Sequence, residues 1–227
     1  MRQRRRRAIM EHVCFLDIET IPTQSQVIRD RIKSDITPPG NIKKPESIQA
    51  WMDEHGEAKA AEVIGKTSFD PALGHICTIA WSIDGQLDVS HASEVEEERE
   101  VLEAFFESLK PHHAYTFVGH NVAAFDLRFI LCRAVVLGVK IPPAIPRDPK
   151  PWGSGVFDTM TAWAGAKGTI SMDNLSTALG LPVKGDFTGA DVAAAWEAGE
   201  HHKIALYCAE DVKRTMAIYA AFQAAGW

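Results

Sequence analysis

The order of elements along the chain predicts an α/β domain built on a mixed, five-stranded sheet flanked by helices. Three observations lead there. Short apolar runs rich in β-formers recur at residues 12–18, 76–83, 86–91, 115–119 and 156–157; helical patterns separate the later runs; and a helix-dominated stretch follows the last one. His12 to Ile18 suits a buried strand. Residues 23–70 read as an inserted segment, broken at Thr37-Pro38-Pro39-Gly40-Asn41, with helices over Gln24 to Ser34 and Ser47 to Ile64. Asp84-Gly85 between the second and third runs signals a tight hairpin. Ser93 with Glu96 three residues on forms a capping pattern opening a helix to about Leu109. A strand over Tyr115 to Gly119 leads into a helix over Ala123 to Leu137, stopped by Gly138. A proline-rich loop, Pro142 to Gly155, precedes the last short strand. Helices then cover Met172 to Leu179, Asp191 to Ala198 and His201 to Ala225. With no internal repeat and no Gly/Ser-rich linker, residues 11–227 are expected to form a single domain after a disordered basic tail, residues 1–10.

Composition narrows the function. The chain has 227 residues, 46% apolar and 24% charged, ordinary for a soluble globular protein. A net charge of −6 argues against a protein that coats nucleic acid, but not against an enzyme gripping a few nucleotides, since active-site carboxylates add to the acidic count. No apolar run is long enough to span a membrane. Glu11 and His12 cut short the apolar run that begins after the Arg2–Arg7 tract, so no signal peptide is read and a cytoplasmic location is expected. The tract itself reads as a tail without a role, a nucleic-acid arm being the alternative. Cys14, Cys77, Cys132 and Cys208 make no CxxC pair and each lies in an apolar segment, as reduced core thiols would.

Three separated motifs carry the chemistry. In Phe15-Leu16-Asp17-Ile18-Glu19-Thr20, Asp17 and Glu19 stand at i and i+2 near a strand end, on one face. A pair of acids on one face of a buried strand points to a cation site. In Gly119-His120-Asn121-Val122-Ala123-Ala124-Phe125-Asp126, Asp126 is either a first-turn acid favoured by the helix dipole or a third ligand, and Asn121 either an N-cap or part of the site. In Tyr207-Cys208-Ala209-Glu210-Asp211, Tyr207 and Asp211 share a helical face. They are either a core tyrosine with a solvated aspartate, or a carboxylate closing a metal cage beside a phenol that holds a water. Carboxylates gathered from distant segments repel one another, and hard divalent cations are the usual compensation.

Together these motifs resemble the DEDD superfamily of 3′–5′ exonucleases. Asp17-Ile18-Glu19 matches its first motif, Asn121 with Phe125-Asp126 its second, and Tyr207 with Asp211 the tyrosine form of its third; Leu206 stands where the other subclass has histidine. The resemblance narrows toward stand-alone predicted exonucleases related to the proofreading domain of family B DNA polymerases, carried also by Ile21-Pro22 and by Gly74-His75-Ile76-Cys77-Thr78-Ile79-Ala80. It implies an RNase H-like fold and metal-dependent hydrolysis at the 3′ end of single-stranded DNA, releasing nucleoside 5′-monophosphates. It further implies two divalent ions, Mg2+ or Mn2+, about 3.5–4 Å apart. Asp17 would bridge them, Glu19 and Asp211 would complete the first, Asp126 would hold the second, and Tyr207 would orient the attacking water.

Asn121 is expected to orient Asp126 or the terminal nucleotide, and Ile18, Thr20 and Phe125 to pack on the terminal sugar or base, Phe125 being equally suited to the core. His120 reads as a structural histidine; Asp158, ending the last strand at the site's expected edge, is no more than a candidate for a supporting role, and that is not the favoured reading. The inserted segment is expected beside the site. With no room for palm and fingers after Asp211, proofreading would need a polymerase or another replication or repair partner. An exoribonuclease of the RNase D type is the alternative within enzymes, and a non-catalytic binding module on the same fold the alternative outside them.

Overall fold

Five strands form one sheet in the order β3-β2-β1-β4-β5. The computed structural model describes residues 11–110, 113–183 and 185–227; the basic tract Arg2–Arg7 and its expected disorder lie outside them. Strand β1 (Glu11–Ile21) is central. It pairs antiparallel with β2 (His75–Ile83), which pairs antiparallel with β3 (Gln86–His91). On its other edge β1 runs parallel to β4 (Ala114–Gly119), and β4 parallel to β5 (Val156–Asp158). The mixed five-stranded sheet expected from the element order is therefore present.

Helices α1 (Gln26–Asp35) and α2 (Pro45–Lys66) form the segment between β1 and β2, followed by a 3-10 turn over Thr67–Phe69. Helix α3 (Glu98–Ser108) joins β3 to β4, and α4 (Asp126–Leu137) follows β4. After β5 come α5 (Thr159–Ala164), α6 (Met172–Ala178), α7 (Val192–Glu197) and α8 (His201–Ala224).

Strand alternation divides the interior in two. Cys14, Leu16 and Ile18 join Phe117 and the apolar faces of α3 and α4, including Leu102, Phe105, Leu127 and Ile130, in the main core. Residues of opposite parity face α7 and α8: Phe15 packs with Cys208 and Val212, and Ile21 with Val192, Ala195 and Ile204. Asp17 and Glu19 share that second parity, so β1 carries core on one side and its acids on the other.

Besides shifts of one or two residues at element ends, four features differ from the sequence reading. Strand β1 continues through Glu19 to Ile21, because the pairing with β2 resumes, after a register shift at Glu19/Thr20, as Thr20↔Ile76 and Ile21↔His75. The capping box before α3 lies one residue later than Ser93/Glu96: Glu94 and Glu97 form it, the Glu97 carboxylate accepting the N–H groups of Ser93 (2.7 Å) and Glu94 (3.3 Å). Helix α4 starts at Asp126 rather than Ala123, for a reason that lies in the site itself. Helix α5, absent from the sequence reading, is short and is capped by Asp158, whose carboxylate accepts from Met160 and Thr161 N–H. The Asp84-Gly85 hairpin is as expected, both residues at positive φ (54° and 85°), as a type I′ turn requires.

Candidate active site

The three motifs meet where β1 and β4 end and α4 begins. Gly119 closes β4. A Cβ there would stand 2.5 Å from Val122 Cβ and 2.9 Å from Leu16 O, so only glycine lets the chain turn this tightly against β1. Asn121 follows in the left-handed region (φ 64°), which asparagine tolerates better than most residues. The Asp158 carboxylate ties the turn down, accepting from Asn121 N–H and Ala123 N–H (3.2 Å each) as well as capping α5. These bonds hold residues 121–125 in turns and delay the helix to Asp126. Asp158 thus fixes the backbone that delivers Asp126.

Asp126 is 3% exposed, and its Oδ1 accepts the backbone N–H of Ile18 at 3.1 Å. That bond links the second motif to the first, between Asp17 and Glu19. Burial pushes the Asp126 carboxyl up to about 7; backbone N–H bonds oppose the shift, and the charges of Asp158 and Asp211 add to it. Asp17 is raised well above the ordinary range, first by burial and then by the charges of Asp126, Glu19 and Asp211. The two expected ligands on β1, the second-motif acid and the third-motif acid are therefore close enough to perturb one another.

Helix α8 brings the third motif. Tyr207 and Asp211, one turn apart, face β1; Asp211 is 7% exposed. Burial raises the Tyr207 phenol, reinforced by the charges of Glu19, Asp211 and Asp17, so it stays protonated at any physiological pH. Its ring packs edge-on against Phe187 at 4.9 Å. A cavity of about 420 Å³ opens beside Tyr207, walled by Phe187, Lys203 and Arg214.

Two residues the sequence reading passed over belong here. The Cys208 Sγ lies 3.4 Å from both Asp17 O and Asp17 Oδ2, and offers one ligand atom within 4.8 Å of those of Asp17 and Glu19. Burial and the neighbouring acids raise its thiol far above the ordinary value, so without a bound cation Cys208 is a thiol that donates to Asp17. Arg214 reaches Asp211 Oδ1 with Nη1 (3.3 Å), and its Nη2 bonds Asp173 and the Ser176 hydroxyl (3.3 Å), tying α8 to α6. Its i, i+3 spacing from Asp211 was a usable signal. For Cys208 no local signal existed, because its partner is 191 residues away.

The other expected substrate contacts divide. Phe125 is half-buried at the rim, its ring 5.5 Å from Phe129 and 6.3 Å from Phe69. Ile18 is 4% exposed and lies in the main core, so its side chain has almost no surface for a sugar; its contribution is the N–H held by Asp126. The Thr20 hydroxyl donates to Ser68 O at 2.8 Å, a bond within the protein. His120 is satisfied on both nitrogens, by the Thr159 hydroxyl (2.9 Å) and Ile170 O (2.8 Å), as a structural histidine should be. All four cysteines are free. Among the described residues no helix is long and apolar enough to cross a membrane.

Comparison with known proteins identifies the fold and the family. The fold resembles the family B DNA polymerase from the hyperthermophilic archaeon Pyrobaculum calidifontis, with a TM-score of 0.58 over 93% of this chain, at 17% identity. The match covers 24% of the polymerase chain, so the protein spans about a quarter of that length. It shows the RNase H-like fold. None of the curated proteins matches the chain. Residues 72–226 match a family described as a predicted 3′–5′ exonuclease related to the exonuclease domain of PolB; Asp126, Tyr207 and Asp211 fall inside the matched region, Asp17 and Glu19 before it. With more than half its length matched, the chain belongs to this family of predicted 3′–5′ exonucleases related to the PolB exonuclease domain.

Proposed function

We propose that the protein removes nucleotides one at a time from the 3′ end of single-stranded DNA by metal-dependent hydrolysis, releasing nucleoside 5′-monophosphates. The observation that carries this reading is the gathering of acids from three motifs: Asp126 accepts Ile18 N–H between Asp17 and Glu19, and α8, held to Asp17 by Cys208, carries Tyr207 and Asp211. The donor set fits hard divalent cations. Its four acids offer carboxylate oxygens, with the Cys208 sulfur beside Asp17 and Glu19, and Asp17 and Asp126 are held above their ordinary range first by burial and then by neighbouring negative charge, which bound cations would offset.

Asp17, Glu19, Asp126 and Asp211 would hold two Mg2+ or Mn2+ ions, which supply positive charge for the scissile phosphate and acidify a water. The remaining work belongs to the chain. Ile18 N–H and the Asp158-bound turn fix the Asp126 carboxylate from both sides. The Cys208 thiol orients Asp17. Arg214 orients Asp211. Tyr207, too weak an acid to serve as a base, acts as a neutral hydrogen-bonding group that aligns the attacking water. Phe125 lies next to Asp126 at the rim and can hold the last base or sugar by apolar contact.

Matched single-stranded DNA and RNA oligonucleotides, labelled at the 5′ end, test the proposal. A ladder shortening from the 3′ end of DNA in Mg2+ or Mn2+, abolished by excess EDTA, is expected. Preferential degradation of the RNA would replace this reading with an exoribonuclease of the RNase D type. Undiminished activity in EDTA would remove the metal-dependent mechanism.

A further inference from the structure

The segment between β1 and β2 ends in a turn that projects one aromatic ring beside the acid cluster. Phe69 is 70% exposed, and its ring centroid lies 6.3 Å from that of Phe125. Single exposed apolar side chains are common and need no function. Three features separate this one from the others on the surface.

The first is rigidity. Thr67 Oγ1 accepts Thr23 N–H (2.9 Å) and donates to Ile64 O (2.6 Å). The Ser68 hydroxyl bonds Gly65 O at 2.9 Å, and Asp70 N–H bonds Thr67 O at 3.0 Å. Gly74 lies so close that a Cβ on it would stand 2.5 Å from Thr67 O and 3.1 Å from Ile21 O. The backbone under Phe69 is thus pinned to the end of β1 from both sides. The second is position. Ser68 O takes the Thr20 hydroxyl, one residue from Glu19, while Phe69 contacts Phe125, one residue from Asp126. The turn is therefore tied to Thr20 by its backbone and to Phe125 by its ring, the residues next to Glu19 and Asp126. The third is continuity: Phe69, Phe125 and Phe129 form a row, with centroid spacings of 6.3 and 5.5 Å, running from solvent into the core. A row anchored at one end and open at the other offers its outer ring face to a planar ligand.

We infer that Phe69 is a substrate-positioning residue, supplied by the 23–70 segment, which stacks on one of the last two bases of the strand and with Phe125 holds the 3′ end over the acids. This rests on the exonuclease reading and adds to it a role for that segment. Stacking on an aromatic is sequence-tolerant, because every base has a π-face, so Phe69 contributes affinity without base preference.

The test uses the full-length protein and a single strand carrying 2-aminopurine at the last or the next-to-last position, with a terminal phosphorothioate linkage to slow hydrolysis. Binding to the wild type is expected to quench 2-aminopurine at one of the two positions. Phe69→Ala and Phe69→Leu are expected to weaken binding about tenfold, within the range of lost base stacking, and to lose most of the quench. Phe69→Tyr should restore both, and KM for unmodified DNA should follow the same order. Two results overturn the inference: Phe69→Ala binding and quenching like the wild type, or Phe69→Leu restoring both as fully as Phe69→Tyr, which would reduce the ring to apolar packing. Failure of the exonuclease reading is separately visible. In that case the wild type leaves 5′-labelled DNA and RNA undegraded, and both readings fall together.

Discussion

Replacing Asp126 with asparagine is expected to stabilise the metal-free protein while removing its activity. Asparagine is close to isosteric and its carbonyl oxygen can still accept Ile18 N–H, so the change removes the charge and turns the other carboxylate oxygen into an N–H donor. The sign comes from linkage. The Asp126 carboxyl is raised from 3.8 to about 7, so the folded protein binds a proton more tightly than the unfolded chain does. The resulting penalty on folding is small near about pH 4, grows as pH rises toward 7, and is complete above it. A shift of that size corresponds to about 4 kcal/mol, and water reaching the ionised group reduces it, so we expect a gain of about 2–4 kcal/mol at about pH 8. For 227 residues the unfolding entropy is about 0.5 kcal/mol/K, giving a rise in Tm of about 4–8 °C. At about pH 4 the difference between variant and wild type should fall below about 1 kcal/mol.

Thermal unfolding by circular dichroism in EDTA, at both pH values, measures this directly. Saturating Mn2+ then provides the second axis. A ligand at a hundred times its Kd adds about 2.7 kcal/mol to the wild type and less to a variant lacking one ligand, so the gap should close. A Tm difference independent of pH, or an asparagine variant less stable than the wild type at pH 8, would refute the reasoning.

The same geometry makes further outcomes testable. Alanine at Asp17, Glu19 or Asp211 should nearly abolish exonuclease activity in the 5′-label assay. Tyr207→Phe should lower kcat only about 10²-fold, the low end for a group that aligns a reacting water. Asp158→Asn keeps one acceptor oxygen in place of a carboxylate holding four N–H groups, and should cost about 1–3 kcal/mol by denaturant unfolding, together with a fall in kcat as Asp126 loses its support. The buried pair of Glu98 and Arg133 (2.6 and 2.7 Å) gives a pH signature of opposite sign. Burial works to raise Glu98, but bonds from His75, Arg133 and Ile76 N–H outweigh it and leave the carboxyl lowered. Its stabilisation is therefore present above about pH 4.5 and lost as pH falls through the lowered value. Glu98→Gln should flatten the acid limb of the stability curve, and Arg133→Met, which strands the carboxylate, should cost about 3–5 kcal/mol in urea unfolding at pH 7.

How much of this site the sequence showed depended on how local each signal was. Asp17 and Glu19 were legible because strand alternation alone puts i and i+2 on one face, and Tyr207 with Asp211 because a helical turn does the same. The hairpin at Asp84-Gly85 was legible from two adjacent residues. The start of α4 was not, since Asp158 fixes residues 121–123 from 35 or more positions away, across β4 and β5. Ile18, expected to pack on the sugar, has its side chain in the main core, because the alternation that presents its neighbours Asp17 and Glu19 on one face turns Ile18 to the other. Cys208 and Phe69 acquire their roles only through contacts made in the folded chain.

One rigid rod carries both Tyr207 and Asp211, and this sets which errors the site can tolerate. Any drift of α8 moves phenol and carboxylate together, leaving the spacing between them unchanged. The gap between α8 and β1 is still open to error, and Cys208, between the two residues on that rod, spans it to the backbone and side chain of Asp17. One sulfur thus helps gauge the alignment of the first and third motifs. Enlarging or shrinking it would detune the whole third motif at once, without touching any residue that meets the substrate.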